Sequence, residues 1–288
     1  MYALTGANGH LGRLVLKHLL THVSADQIIA TTRNPEQLAD LAAQGVVVRR
    51  ADFTQLATLQ AAFAGAKRLL IISTDTVSQR VEQHKAAIEA ATSVGVSHIV
   101  YTSAPHADPN ASHPILADHG KTEAALVASG VQWTALRNSI YSELLKDFIT
   151  LLQVNGQVLI PEGLAKHSWV SREDCARAAA GALAGKIADV GPIDVTGPEA
   201  LSFEDLVHRY SSLSGQSVDA KVLSEQEILA QVMAKGVPQE AAAFVVGFTA
   251  WVAREVPTTP TDTVMRASGT KPSPVDEVLR IIEASSKV

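Results

Sequence analysis

Gly6-Ala7-Asn8-Gly9-His10-Leu11-Gly12 follows the apolar run Tyr2-Ala3-Leu4-Thr5 and precedes a stretch in which Leu11, Leu14, Val15 and Leu19 recur at helical spacing. A short strand, a glycine-rich turn and an amphipathic helix, in that order, make the opening unit of a parallel α/β sheet. The glycines are spaced G-x-x-G-x-x-G rather than in the common G-x-G-x-x-G fingerprint. The physics is shared, because glycines permit a tight turn and let backbone N–H groups approach a pyrophosphate. The following helix N-terminus supplies a favourable dipole for that anion. The turn nominates Gly6, Asn8, Gly9, His10, Leu11 and Gly12 as dinucleotide contacts. An ordinary strand-to-helix turn is the alternative.

Outward from this turn the same unit repeats. Strands are expected at 27–32, 46–50, 68–73, 98–102 and 133–137, with helices at about 54–64, 77–94 and 117–129 between them. Six strands separated by helices predict a Rossmann fold, a doubly wound parallel sheet, over residues 1–140. Residues 141–288 read as a smaller mixed α/β cap, interleaved with the sheet edge and making a cleft there. Its helices are expected at 141–154, 172–184, 203–213, 225–234 and 238–254, its strands at 158–160, 193–196 and 218–222.

Composition narrows the function. The 288 residues carry 24 Lys+Arg against 29 Asp+Glu, a net charge of −5, with 47% hydrophobic and 18% charged residues. That excludes a disordered chain, and the mild acidity argues against nucleic acid as a partner. A single cysteine, Cys175, allows no intrachain disulfide. The uncharged stretch 241–253 is too short to span a membrane and reads as a buried helix, a pocket wall or a homodimer face. With no leader pattern at the N-terminus, the expected location is cytoplasmic.

The second strand decides which dinucleotide is bound. An NAD enzyme places Asp or Glu after it to hold the ribose hydroxyls. Here the strand ends Thr31-Thr32-Arg33-Asn34, and Arg33 offers a planar cationic fork to a 2′-phosphate, so NADPH is expected over NADH. Asp52 and Phe53, after the third strand, sit where an adenine ring can lie. Ser73 and Thr74 close the fourth strand on the path of the pyrophosphate and nicotinamide ribose.

These residues, with Tyr101-Thr102-Ser103, His119, Thr122-Glu123 and Leu136-Arg137-Asn138 followed by Tyr141, resemble the NmrA-like group of atypical short-chain dehydrogenase/reductases. More narrowly the chain is similar to its quinone oxidoreductase type 2 and triphenylmethane reductase branch. The resemblance implies an NADPH-binding fold whose members reduce quinones or dyes by hydride transfer. Other NmrA-like proteins bind the dinucleotide without turnover and act as redox sensors, which is the alternative function. The resemblance also brings Thr102, Ser103 and His119 to the cofactor side of the site.

A standard short-chain dehydrogenase uses Tyr-x-x-x-Lys. The aligned positions here are Ile115 and His119, and Lys121 lies well round the helix. A quinone is already a strong hydride acceptor, so ordered contact with the nicotinamide can carry much of its reduction. His119 is expected to bind the nicotinamide ribose or to supply a proton. Asn138 is expected to hold a carbonyl and Tyr141 to stack on a flat substrate, with Leu144, Phe148 and Trp169 as apolar walls. His106, Asp108, His113, Asp118 and His119 lack tight ligand spacing, and no metal is expected.

Overall fold

The computed structural model describes residues 1–285 except 77–78, 189, 216 and 256. The first stretch alternates β1 (Tyr2–Leu4), α1 (His10–Leu19), β2 (Ile28–Thr32), α2 (Ala39–Ala42), β3 (Val47–Arg50), α3 (Leu56–Phe63), β4 (Arg68–Ile71), α4 (Arg80–Ser93), β5 (His98–Ser103), α5 (Pro114–Ser129) and β6 (Gln132–Asn138). After it come α6 (Leu144–Leu152), β7 (Gln153–Val154), β8 (Gln157–Pro161), α7 (Arg172–Leu183), β9 (Gly191–Val195), α8 (Phe203–Ser214) and β10 (Asp219–Leu223). The chain closes with α9 (Glu225–Ala234), α10 (Gln239–Arg254), α11 (Thr263–Ser268) and α12 (Val275–Ser285). The helix expected from residue 77 is described from Arg80, since 77 and 78 lie outside the described residues.

A seven-stranded sheet has the order β3-β2-β1-β4-β5-β6-β9, every adjacent pair parallel. The strand order reverses between β1 and β4, and ligands of open α/β sheets bind at the carboxyl ends of the strands beside such a reversal. The central strands read as unbroken apolar runs because helices cover both faces. All six residues of β5 are buried, whereas the edge strand β3 is half-exposed. One core layer joins Ala3, Ile29, Leu69, Ile71 and Ile99 of the sheet to Phe63 of α3, Ile88 of α4 and Leu126 of α5. Full burial of each large aliphatic side chain contributes about 1.5–3 kcal/mol.

The chain forms two compact units. The first comprises Met1–Asn138, Glu173–Val195 and Asp262–Thr270; the second comprises Ser139–Arg172, Thr196–Thr261 and Lys271–Val288. The strand expected at 193–196 thus runs over Gly191–Val195 and is the seventh strand of the large sheet, hydrogen-bonded to β6. In the second unit β8 lies between β10, parallel to it, and the short antiparallel β7.

The core of the second unit is aromatic. Phe148, Trp169, Phe203 and Phe248 contact one another at ring separations of 5.6–6.1 Å, and Trp169 is 2% exposed. The expectation that Phe148 and Trp169 wall a substrate pocket is therefore corrected: both are core side chains, and Leu144 packs against the same cluster. The apolar α10 is explained in the same way, since Ala242, Val245, Val246, Val252 and Ala253 belong to this core. No helix among the described residues is long and apolar enough to cross a membrane.

Candidate dinucleotide site

The glycine turn is built by two steric requirements. Gly6 has φ +62, a left-handed conformation that disfavours residues with a side chain. Gly12, inside α1, stands so close to the turn that a Cβ there would lie 2.2 Å from the Gly6 carbonyl oxygen. The first hydrogen bond of the helix runs from Arg13 N–H to Gly9 C=O at 3.0 Å, so the amides of His10, Leu11 and Gly12 precede the helical ladder. No acidic residue occupies the first turn of α1 to compete for an anion.

These residues open onto a cavity of about 520 Å³, and Gly6, Asn8, Gly9, His10, Leu11 and Gly12 all line it. Arg33, Asp52, Phe53, Ser73 and Thr74 line it as well. Arg33 is exposed and forms no hydrogen bond or ion pair among the described residues, so its guanidinium fork is available to a ligand. Asn8 is more constrained: its Oδ1 accepts from Arg13 Nε and Nη2 at 3.2 and 3.0 Å, and its Nδ2 donates to Gln37 at 2.8 Å. Asp52 accepts on Oδ1 from the Thr54 amide and hydroxyl at 3.0 and 2.8 Å. Those bonds, led by the amide and helped by Arg50 and Arg33, hold its carboxyl below the ordinary aspartate range. Its backbone N–H is already given to Thr58 Oγ1, leaving Oδ2 as the free acceptor for an adenine amine.

The strand-end segment Ser73–Thr74 is fixed from several sides. Ser73 N–H donates to Thr102 Oγ1 at 2.8 Å, and Ile72 N–H to Thr5 Oγ1 at 3.0 Å. Thr102 therefore supports the cavity wall without lining it. Thr74 Oγ1 is buried with no hydrogen-bond partner among the described residues, an unspent polar atom in the wall of a cavity sized for part of a dinucleotide. The glycine turn, free first-turn amides, free Arg33 and this hydroxyl all fit a pyridine dinucleotide.

Ser103, Asn138 and His119 are not among the residues lining that cavity. Ser103 Oγ donates to Glu123 Oε1 at 2.6 Å, and Glu123 also takes two bonds from Arg137, at 3.0 and 2.6 Å. The expected cofactor contact of Ser103 is thus replaced by a structural one, because a buried carboxylate takes its hydroxyl. Asn138 is the buried last residue of β6, in register with Val195. Tyr141 lies in the second unit, bridged to Val170, with Arg172 over its ring at 5.2 Å. Of the residues considered for a metal, Asp118 lies 3.5 Å from Arg80 and His119 faces Tyr101.

His119 is 6% exposed, and its Nδ1 lies 2.7 Å from the Tyr101 hydroxyl. Burial, reinforced by the Arg80 charge, pulls its pKa down to about 3. The imidazole is therefore neutral near pH 7, and the expected role as a proton source is corrected: desolvation removes the spare proton. Ile115 is half-buried and Lys121 exposed, so neither restores the missing Tyr-x-x-x-Lys chemistry.

Sequence reasoning missed several residues. Thr31, Thr32, Gln37, Thr76 and Gln83 also line the cavity, and Arg80, His84 and Thr122 are buried behind it. Arg80 and His84 stand one turn apart on a crossover helix whose buried face continues through Ala87, Ile88 and Ala91. Polar residues in step with a buried stripe are a readable signal.

A seven-stranded parallel sheet with a glycine turn and free helix amides at the topological switch defines a dinucleotide-binding Rossmann protein. The NAD(P)H-binding family model matches residues 6–186, and the chain belongs to that family. It is 38% identical over 240 residues to quinone oxidoreductase 2 of Escherichia coli, spanning 83% of each chain. The NADPH-dependent quinone oxidoreductase of Escherichia coli, solved in complex with NADPH, superposes with a TM-score of 0.88 at 32% identity, over 98% of this chain and 99% of that one. Triphenylmethane reductase of Citrobacter sp., solved with NADP(H), gives 0.86 at 31% identity over 97% and 99%.

Proposed function

We propose that the chain is an NADPH-dependent reductase that passes a hydride to a quinone or a similarly flat acceptor. The observation that carries the cofactor half is Arg33, free and exposed in the cavity wall where an NAD enzyme would keep a carboxylate. The acceptor half is supported by the relatives named for quinone and triphenylmethane reduction.

Bound NADPH supplies the hydride. The protein's share is to hold the pyrophosphate on the amides of His10 to Gly12, grip the 2′-phosphate with Arg33, and fix the Ser73–Thr74 wall. His119, neutral, serves as a hydrogen-bond donor to the nicotinamide ribose, and Tyr141 is the stacking residue for the acceptor. Neither Ile115 nor the neutral His119 replaces the tyrosine acid, so the single proton that joins the hydride to complete a hydroquinone comes from solvent. A quinone tolerates this because its two-electron reduction does not require protonation before hydride arrives.

The test is oxidation of NADPH by the purified protein against a panel of simple quinones and a triphenylmethane dye, with NADH in parallel. Saturable turnover of one acceptor class with a preference for NADPH is expected. Tight NADPH binding with no turnover of any acceptor would refute the enzyme and leave a dinucleotide sensor.

A further inference from the structure

Thr74 lines the cavity, and both sides of its backbone are held by the buried face of α4. Its N–H donates to His84 Nε2 at 3.1 Å, and its C=O accepts from Arg80 Nε at 2.8 Å. Arg80 and His84 are 7% and 0% exposed. Polar groups so deeply placed are costly unless they are paired, and each of these two makes one hydrogen bond with the same cavity-lining residue.

His84 passes the constraint inward. Burial pulls its pKa down to about 3, so the ring is neutral. An Nε2 that accepts from an amide must leave the ring proton on Nδ1. That Nδ1–H has Thr122 Oγ1 at 3.0 Å and the Tyr101 hydroxyl oxygen at 3.3 Å. Thr122 gives its own proton to the Asp118 carbonyl at 2.9 Å and so is an acceptor for His84. The Tyr101 phenol is completely buried, and desolvation keeps it protonated. With His84 presenting a proton on one side, the phenol proton turns to His119 Nδ1, and 2.7 Å is a length natural to an O–H donor. His119 must then carry its proton on Nε2, an atom without a hydrogen-bond partner among the described residues.

We infer that Tyr101 and His84 are positioning residues for the reductase: a directional chain from the Thr74 amide through His84 and Tyr101 locks His119 in its Nε2–H tautomer and offers that N–H to the cofactor ribose. The inference rests on the reading of His119 as a cofactor contact. It also makes the cavity wall at Thr74 and the ring at His119 parts of one hydrogen-bonded body.

The chain can be read directly by two-bond ¹H–¹⁵N correlation on histidine-labelled protein, free and with NADPH, with His84→Gln and His119→Asn used for assignment. The expected result is Nδ1–H for His84, the minority form of a free histidine, and Nε2–H for His119. In Tyr101→Phe the His119 Nδ1 resonance should move to the position of an unbonded ring nitrogen, and the NADPH Kd should rise several-fold. A His119 protonated on Nδ1 in the wild type would overturn the inference, as would a Tyr101→Phe spectrum with His119 unmoved. The wild-type tautomers decide the matter even if Tyr101→Phe does not fold. If the tautomers are as stated but His119→Ala binds NADPH with unchanged Kd, the cofactor role of His119 is refuted while the chain itself stands.

Discussion

Replacing Arg33 by Ser should separate the two dinucleotides. The guanidinium stands exposed at the end of β2 and forms no salt bridge among the described residues, so binding a 2′-phosphate costs no close ion pair. At about 4 Å a unit charge pair contributes about 1 kcal/mol in water and about 4 kcal/mol at an effective dielectric of 20. Hydrogen bonds to charged groups fall at about 1.5–3 kcal/mol, and an exposed site belongs at the lower end. We take about 2 kcal/mol, which corresponds to a roughly 30-fold rise in the NADPH Kd. NADH lacks the phosphate, so its Kd should stay within about 2-fold by the same reasoning. Fluorescence titration of both dinucleotides into both proteins measures this, and raising ionic strength from about 0.05 to 0.5 M should shrink the NADPH effect as the Debye length falls. Arg33→Lys should sit between, because it keeps the charge and loses the planar fork. Equal weakening of NADH and NADPH in Arg33→Ser would show that Arg33 shapes the turn rather than reads the phosphate, and the selectivity argument would be wrong.

Two further outcomes follow from the buried polar groups. Glu123→Gln strips the carboxylate from a pair whose Glu123 and Arg137 side chains are only 10% and 22% exposed. The loss should be about 2–3 kcal/mol, or roughly 3–5 °C in Tm by calorimetry; an unchanged Tm would mean that water already solvates Arg137. The second outcome concerns pH. His84 and His119 have folded pKa values of about 3 against an unfolded value near 6.5, so between those limits the unfolded chain binds more protons. Stability is then complete above about pH 6.5 and falls as pH drops toward 3, by about 2 kcal/mol per histidine between pH 7 and 5. Melting curves across that range should show the slope, and His84→Gln should flatten it; a pH-independent Tm in the wild type would place a counter-charge beside the rings.

The cavity was legible because its signals are local. A glycine turn after a strand, and the residue that follows the next strand, are fixed by steric and electrostatic demands within a few positions, so Gly6, Asn8 to Gly12 and Arg33 line the cavity. Phe148 and Trp169 were misjudged for the opposite reason. An aromatic residue on a helix or loop carries no mark of which side it faces until its partners Phe203 and Phe248, distant in sequence, are known. Ser103 failed similarly: its hydroxyl is taken by Glu123, 20 positions on and brought alongside by α5. The strand at 191–195 was readable as a strand, but only pairing with β6 shows which sheet it extends.

The absent Tyr-x-x-x-Lys pair gains a physical meaning from the residues around its place. With an isoleucine and a neutral, buried histidine at those positions, neither can deliver a proton to a carbonyl oxygen as hydride arrives. A ketone needs that proton in the transition state; a quinone does not, because its ring spreads the incoming charge over two oxygens. The same burial that keeps His119 neutral suits the ribose contact proposed for it, since a neutral ring held by Tyr101 would lose little freedom on binding. The site thus gives up proton transfer and keeps orientation. The substrates open to it are those whose own electronics accept a hydride unaided.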